Sequence, residues 1–249
     1  PRVRRRELID FGRSPAAVLF VVFAVVLWFL LRDRVYLQID EFSHWGWAAK
    51  EMLRTHELPL AHTRLRFSDY PPGTTLFQYF FLALRGRNHE GTAYWAQALL
   101  LLSAFAVLFA RLRWRCWVRL TLLTLSAFYQ VHVFGLGFDR LQVDPVLGAW
   151  YGALMLAGVL LLRTGSQRLL LAPALALLCL IKASGPFLAL TAATAMAIVT
   201  TLQWYRSRRA AGTTTAIAGR PRTLRGTALV CLLLVAIPLC TGLSWSLHV

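Results

Sequence analysis

Long apolar stretches recur along this chain of 249 residues, each about 17 to 20 residues in length. Wound as an α-helix, such a stretch matches the roughly 30 Å thickness of the hydrocarbon core of a bilayer. The composition agrees, because 57% of the residues are hydrophobic and only 15% are charged, which is more apolar than a soluble domain of this size. Since the stretches are apolar on all sides rather than alternating, they favour helices over a membrane barrel. The predicted fold is all-α, a polytopic bundle of transmembrane helices.

Seven crossings are predicted. They lie near residues 15–31, 91–110, 117–134, 144–162, 169–181, 186–203 and 227–246. A further apolar piece over residues 71–84 is too short for a full span and favours a re-entrant or interfacial helix. The alternative, in which this piece does cross, stays open and inverts the topology of everything after it.

Arginine sets the predicted orientation. If residues 71–84 do not cross, 17 of the 27 basic residues share a side with the N-terminus, against two of the 11 acidic residues. By the positive-inside rule that side is cytoplasmic. The opposite, extracytoplasmic side then gathers ionisable residues from distant parts of the chain: Asp40, Glu41, Asp69, Asp139, Asp144 and Lys182.

The net charge of +16 does not indicate a nucleic-acid protein, because the arginines lie between apolar stretches instead of forming a basic groove with interleaved aromatics. The four cysteines show no CxxC spacing, so neither a disulfide nor a zinc site is predicted. His44, His56, His62 and His89 lack metal-ligand spacing.

The first outer segment, residues 32–90, is the longest predicted stretch outside the bilayer and the expected place of function. Its run from Ser43 to Arg54 suits a helix on the membrane surface. Asp40 and Glu41 precede that run. Carboxylates there can simply complement a helix N-terminus, and this reading stays open, particularly for Glu41. A carboxylate at the rim that faces water can instead serve as a general base.

Other outer residues also have two readings. Asp144 opens the fourth crossing before Pro145, where it caps a helix or contributes to a site. Lys182 lies in the short polar break IKASGP of an apolar region; it either snorkels to the interface or acts on a substrate. Three arginines can hold a phosphate or touch lipid headgroups. These are Arg64, Arg66 and Arg140.

Four segments in order resemble the GT-C superfamily of polytopic glycosyltransferases, particularly protein O-mannosyltransferases and the aminoarabinose transferases that modify lipid A. DEFSHWGWAAKEM is similar to the family's DE motif with its surface helix, and DYPPG to its YPP turn in the same outer loop. VDPVLGAW is similar to a second outer acidic residue that heads a helix, and LIKASGPFLAL to a lysine-x-x-glycine segment. The likeness covers residues 1–190.

The resemblance implies an inverting glycosyltransferase that uses a polyprenyl-phosphate sugar as donor and needs no cofactor, with a divalent metal left open. Asp40 is then the base that deprotonates the acceptor, a glycan, lipid or protein, and Glu41 supports it. Cations neutralise the donor phosphate. The remaining expected substrate-binding residues are Lys182, Arg64, Arg66, Arg140, Tyr70, Asp144 and His44.

Family members are commonly much longer, with further helices and often a soluble outer domain. Residues 1–249 are therefore expected to be a single N-terminal module that lacks a C-terminal region, in a bacterial inner membrane, with the N-terminus cytoplasmic and the active site extracytoplasmic. Two other functions stay open: a transporter or flippase of an anionic lipid that uses Lys182 and Asp144, and a membrane scaffold subunit without catalysis.

Overall fold

The computed structural model describes residues 5–59, 70–133, 137–164, 171–211 and 224–248, and these residues are mostly helical without a strand among them. The predicted all-α class is thus confirmed. In chain order the helices are α1 (Arg5–Gly12), α2 (Pro15–Leu31), α3 (Gly46–Thr55), α4 (Gly73–Arg85), α5 (Glu90–Phe109), α6 (Trp117–Val133), α7 (Val143–Thr164), α8 (Leu171–Ile181), α9 (Gly185–Ala211) and α10 (Leu224–His248). A π-helical turn, Glu41–Trp45, runs into α3, and a 3₁₀ turn, Trp114–Cys116, precedes α6.

Four stretches within these helices are long and apolar enough to cross a membrane: Glu90–Phe109, Val143–Leu161, Gly185–Arg206 and Ala228–Leu247. Two shorter apolar helices, α2 and α8, accompany them. These lengths indicate a membrane protein. The predicted crossings all coincide with helices, but the number of spans stays a prediction, as does the surface position of α3 and α4.

Local sequence explains where several helices begin and end. Ser14 caps α2, because its hydroxyl accepts a hydrogen bond from the amide of Ala17 at 3.3 Å and Pro15 occupies the first helical position. The C-terminal end of α4 is set by Gly86, which adopts a φ of 71°. Glycine enters this left-handed conformation at little cost, so the helix stops there.

The chain forms two compact units, one that ends at Ala153 and one that covers Leu154–His248. In the first unit, α5 is the central helix, because it packs against α2, α4 and α3. Of its most apolar stretch of 18 residues, 67% are buried. In the second unit, α8, α9 and α10 pack against one another. That the whole chain is a single module stays a prediction.

Gly91 allows the first turn of α5 to approach the end of α2 closely. A Cβ atom at this position would collide with the backbone carbonyl oxygens of Leu31 and Arg32. Backbone atoms cannot move aside as a flexible side chain can, so this contact fixes how α5 packs against α2.

We therefore expect Gly91→Ala to destabilise the protein by about 1–3 kcal/mol, the usual cost of overpacking. Thermal unfolding in detergent measures the effect. Gly148→Ala is the matched control, because a Cβ there meets no atom within 4 Å and alanine has the higher helix propensity. Equal melting temperatures for the two variants would contradict the close approach.

Candidate functional site

The adjacent carboxylates Asp40 and Glu41 lie where the chain enters the π-helical turn. The amide of Gly46 donates to the carbonyl oxygen of Glu41, which closes a wide turn of the π type. Such turns are rare and occur frequently at functional sites. The ring of Tyr36 packs on Gly46, because a Cβ atom there would come within 2.5 Å of a Tyr36 ring carbon. Glycine is thus required for this packing.

Asp40 is exposed and makes no side-chain capping hydrogen bond to the turn that it precedes. Within the described ranges its carboxylate has no ion pair either. The helix-capping interpretation is therefore not supported for Asp40. A solvent-facing carboxylate without a competing partner is chemically able to accept a proton from a bound hydroxyl or amine.

Glu41 has the opposite environment, because its side chain is only 1% exposed. One carboxylate oxygen, Oε2, accepts hydrogen bonds from the amides of Leu37 at 2.8 Å and Gln38 at 2.9 Å. The other, Oε1, accepts from the amide of Leu141 at 3.1 Å. The reach back to Gln38, three residues earlier, resembles half of a capping box. The bond to Leu141 joins segments 100 residues apart, which capping does not explain.

Glu90, the first residue of α5, holds the same loop. Its carboxylate accepts from the amide of Tyr36 at 2.7 Å, and the hydroxyl of Tyr94 donates to the carbonyl oxygen of Val35 at 3.1 Å. Loop residues 35–38 are therefore bound through side chains of the π turn and of α5. A loop held by this many bonds to buried groups has little freedom to move.

Tyr36 lies beside both of these carboxylates. Burial raises the pKa of the Tyr36 phenol far above its ordinary value, and the negative charges of Glu90 and Glu41 raise it further. The hydroxyl is buried without a hydrogen-bond partner in the described part of the chain. Tyr36 thus stays neutral at physiological pH and supplies packing against the π turn.

The YPP turn, residues 70–72, packs directly on the π-helical turn. The ring of Tyr70 lies 4.8 Å from that of His44 and 5.6 Å from that of Trp45, between centroids. His44 is 6% exposed, so aromatic rings enclose it. The following residues, Pro71 and Pro72, are buried. Two motifs that are separate in the sequence are therefore in contact.

A third segment, residues 139–142, runs beside the loop that leads to Asp40. Arg34 forms an ion pair with Asp139 at 3.7 Å, and Nε2 of Gln142 donates to Oε1 of Gln38 at 3.4 Å. Together with the bond from Leu141 to Glu41, these contacts align the two segments. The segment that contains Asp139 and the segment that leads to the DE motif are thus in contact, and the membrane topology stays a prediction.

Arg140 and Asp144 are exposed at this edge. Arg140 lines a small open cavity between α5 and the start of α7. Asp144 lies in the first turn of α7, which begins one residue earlier at Val143. A cation at the mouth of a cavity can bind an anionic group.

Lys182 belongs to the second unit. It is half-buried between α8 and α9, and its carbonyl oxygen accepts from the amide of Gly185 at 2.7 Å. Gly185 lies directly against the carbonyl oxygen of Leu178, so a Cβ would not fit there. The polar break predicted from IKASGP is thus a tight turn. Arg64 and Arg66 lie outside the described residues.

Two glutamines near the site were not among the predicted site residues. They are Gln78 of α4 and Gln97 of α5. Both are buried. Gln97 donates to the carbonyl oxygens of Arg140 and Gln142, and Gln78 donates to the side-chain oxygen of Gln97. A polar residue inside an apolar span is itself a signal of function or specific packing, and Gln97 in YWAQALL carries that signal. Within the described residues there is no group of three His, Cys, Asp or Glu side chains that could hold a metal ion.

No family model, curated protein or solved structure matches the chain.

The environments of the two carboxylates predict different effects on stability. In Glu41→Gln the amide group presents N–H donors to backbone N–H donors, so we expect a loss of about 1–3 kcal/mol. Asp40→Asn should change the stability by less than about 0.5 kcal/mol, since its exposed carboxylate has no hydrogen-bond or ion-pair partner among the described residues. Thermal unfolding of both variants in detergent measures this. An equal loss for the two neighbours would contradict the assigned roles.

Proposed function

We propose that this protein is a membrane glycosyltransferase of the GT-C type. It transfers a sugar from a polyprenyl-phosphate donor to an acceptor at the extracytoplasmic face, with inversion at the anomeric carbon. The observation that carries the proposal is the difference in environment between the adjacent carboxylates of Asp40 and Glu41. Glu41 is buried and engaged by three backbone amides, and it leaves Asp40 exposed at a rigid turn.

In the proposed reaction, Asp40 accepts the proton of the acceptor hydroxyl or amine. The acceptor's lone pair forms a bond to the anomeric carbon as the bond from that carbon to the phosphate oxygen breaks, and polyprenyl phosphate leaves. The leaving phosphate needs a nearby cation. Arg140, exposed at the cavity mouth, is one candidate, and the resemblance adds Lys182, Arg64 and Arg66.

Contact between the motifs supports this proposal beyond the short strings themselves. The DE motif, the YPP turn and the segment before α7 form one cluster in the first unit. Glu41 acts here as a positioning residue. Tyr70 and His44 line the underside of the turn, and a direct contact of either with substrate stays a prediction.

The principal test replaces Asp40 by asparagine in the full-length protein. Transfer should fall below about a tenth of wild type, since general-base catalysis is worth about 10²–10⁴-fold. Release of free polyprenyl phosphate from a radiolabelled donor in membranes of the expressing cell measures transfer whichever acceptor is used. Asp33→Asn is the matched control, because this exposed carboxylate pairs with the adjacent Arg32. Activity retained in Asp40→Asn would remove Asp40 as the base.

Lys182→Ala tests the phosphate role separately. We expect a weaker apparent affinity for the donor, by about tenfold for the loss of one charge-assisted hydrogen bond, with a smaller change in the maximal rate. The donor concentration at half-maximal release is the readout. An unchanged value would exclude Lys182 from donor binding and leave Arg140 to be tested in the same way.

Cysteine labelling tests the proposed orientation. In a variant whose four native cysteines are replaced by serine, Arg115→Cys should react only after the membrane is permeabilised, and Arg66→Cys should react in intact cells. The arginine-rich loop is cytoplasmic in this topology. Labelling of both positions from the same side would overturn it and would place residues 71–84 across the bilayer.

A further inference from the structure

The backbone of residues 140–142 is bound by side chains from two directions. Nε2 of Gln97 donates to the carbonyl oxygens of Arg140 at 2.8 Å and Gln142 at 3.0 Å. The amide between these carbonyls, that of Leu141, donates to Glu41. Buried side chains thus hold one backbone group of each residue in this segment. Gln97 of α5 binds two carbonyl oxygens, and Glu41 of the π turn binds the amide between them.

The side chains of this segment complete the attachment. Leu141 is fully buried, with 0% exposure, whereas Arg140 is exposed and lines the cavity together with Gln97 and Gln142. The buried leucine and the bound backbone therefore fix the position from which the arginine extends. Arg140 has a long flexible side chain, and only a fixed backbone restricts where its guanidinium can reach.

The orientation of the Gln97 amide is determined by its neighbours. Since both N–H groups point to carbonyl oxygens, its Oε1 faces α4, where Nε2 of Gln78 donates to it at 3.1 Å. Gln78 is 0% exposed and lies on the helix that follows the YPP turn. A continuous row of hydrogen bonds thus runs from α4 through α5 to residues 140–142 and on to Glu41, beside Asp40.

We propose that Gln97, held by Gln78, is a positioning residue that fixes residues 140–142 so that Arg140 and Asp40 face the substrate from one rigid edge. The geometric part, that Gln97 fixes the position of residues 140–142, is supported by the hydrogen bonds described above. The catalytic part rests on the proposed function, since it assumes that Arg140 and Asp40 act on one substrate.

The geometric part is tested by hydrogen–deuterium exchange of the full chain in lipid nanodiscs. In Gln97→Leu, peptides that cover residues 139–142 should exchange about tenfold faster or more, because two buried hydrogen bonds are lost, while peptides of α8 stay as in wild type. Ser103→Ala is the matched control on α5, because the Ser103 hydroxyl donates to the carbonyl oxygen of Leu100 in its own helix. Unchanged exchange in folded Gln97→Leu would overturn the proposal.

A second variant keeps the shape of the side chain. In Gln97→Glu the carboxylate repels the two carbonyl oxygens, but its protonated form can donate to one of them, and burial favours that form. The exchange rate of residues 139–142 and the transfer activity, each relative to wild type, should therefore move toward wild type as the pH falls from 8 to 6. Ratios that differ from wild type and do not move toward it at any lower pH would overturn the donor role of Gln97, and this variant decides the matter if Gln97→Leu does not fold.

Activity then separates the two proposals. Gln97→Leu should lower the maximal rate of donor cleavage by about tenfold and Gln78→Leu by less, because Gln78 acts through Gln97. Full transfer in Asp40→Asn would end the proposed function but leave the exchange result standing. Unchanged exchange at residues 139–142 would end the role of Gln97 even if Asp40 proved essential.

Discussion

The buried carboxylate of Glu41 is the interaction on which the rest of the candidate site depends. A charged group with 1% exposure is costly unless hydrogen bonds replace the water that it loses. Backbone amides of Leu37, Gln38 and Leu141 supply them, and the last comes from a segment that the sequence separates by 100 residues. The same charge therefore shapes the loop before the π turn and holds the segment before α7 against it.

The π-helical turn gives the two adjacent carboxylates their different environments. Side chains of consecutive residues on a helical turn point in different directions, so Glu41 enters the protein while Asp40 is directed outward. Below the turn, the rings of His44, Trp45 and Tyr70 pack together, and above it Asp40 has no partner among the described residues. General-base catalysis needs an exposed carboxylate on a well-packed support. A base held in one position stays close to the proton that it removes, which lowers the barrier of the reaction.

Much of the fold follows from local sequence. Helix positions were predictable to within a few residues, as for the crossing placed at 144–162 and the helix Val143–Thr164, because the length of an apolar stretch and the residues at its ends fix a helix locally. The break at Lys182 was predictable for the same reason. The number of membrane crossings was not, since α2 and α8 have 17 and 11 residues and their relation to the bilayer depends on packing and lipid rather than on length alone.

Hydropathy and residue type are local properties, so the all-helical class, the helix positions and the residues able to do chemistry could be predicted from the amino-acid order alone. The surroundings of each of those residues depend on how distant segments pack, which local sequence does not specify. Asp40 and Glu41 are chemically near-equivalent neighbours in the sequence, and the difference between an exposed carboxylate and a buried one arises from amides that other segments bring to Glu41. Gln97 was visible as a polar residue in an apolar helix, yet its two acceptors lie more than 40 residues away, and only the packing of α5 brings them within hydrogen-bonding distance.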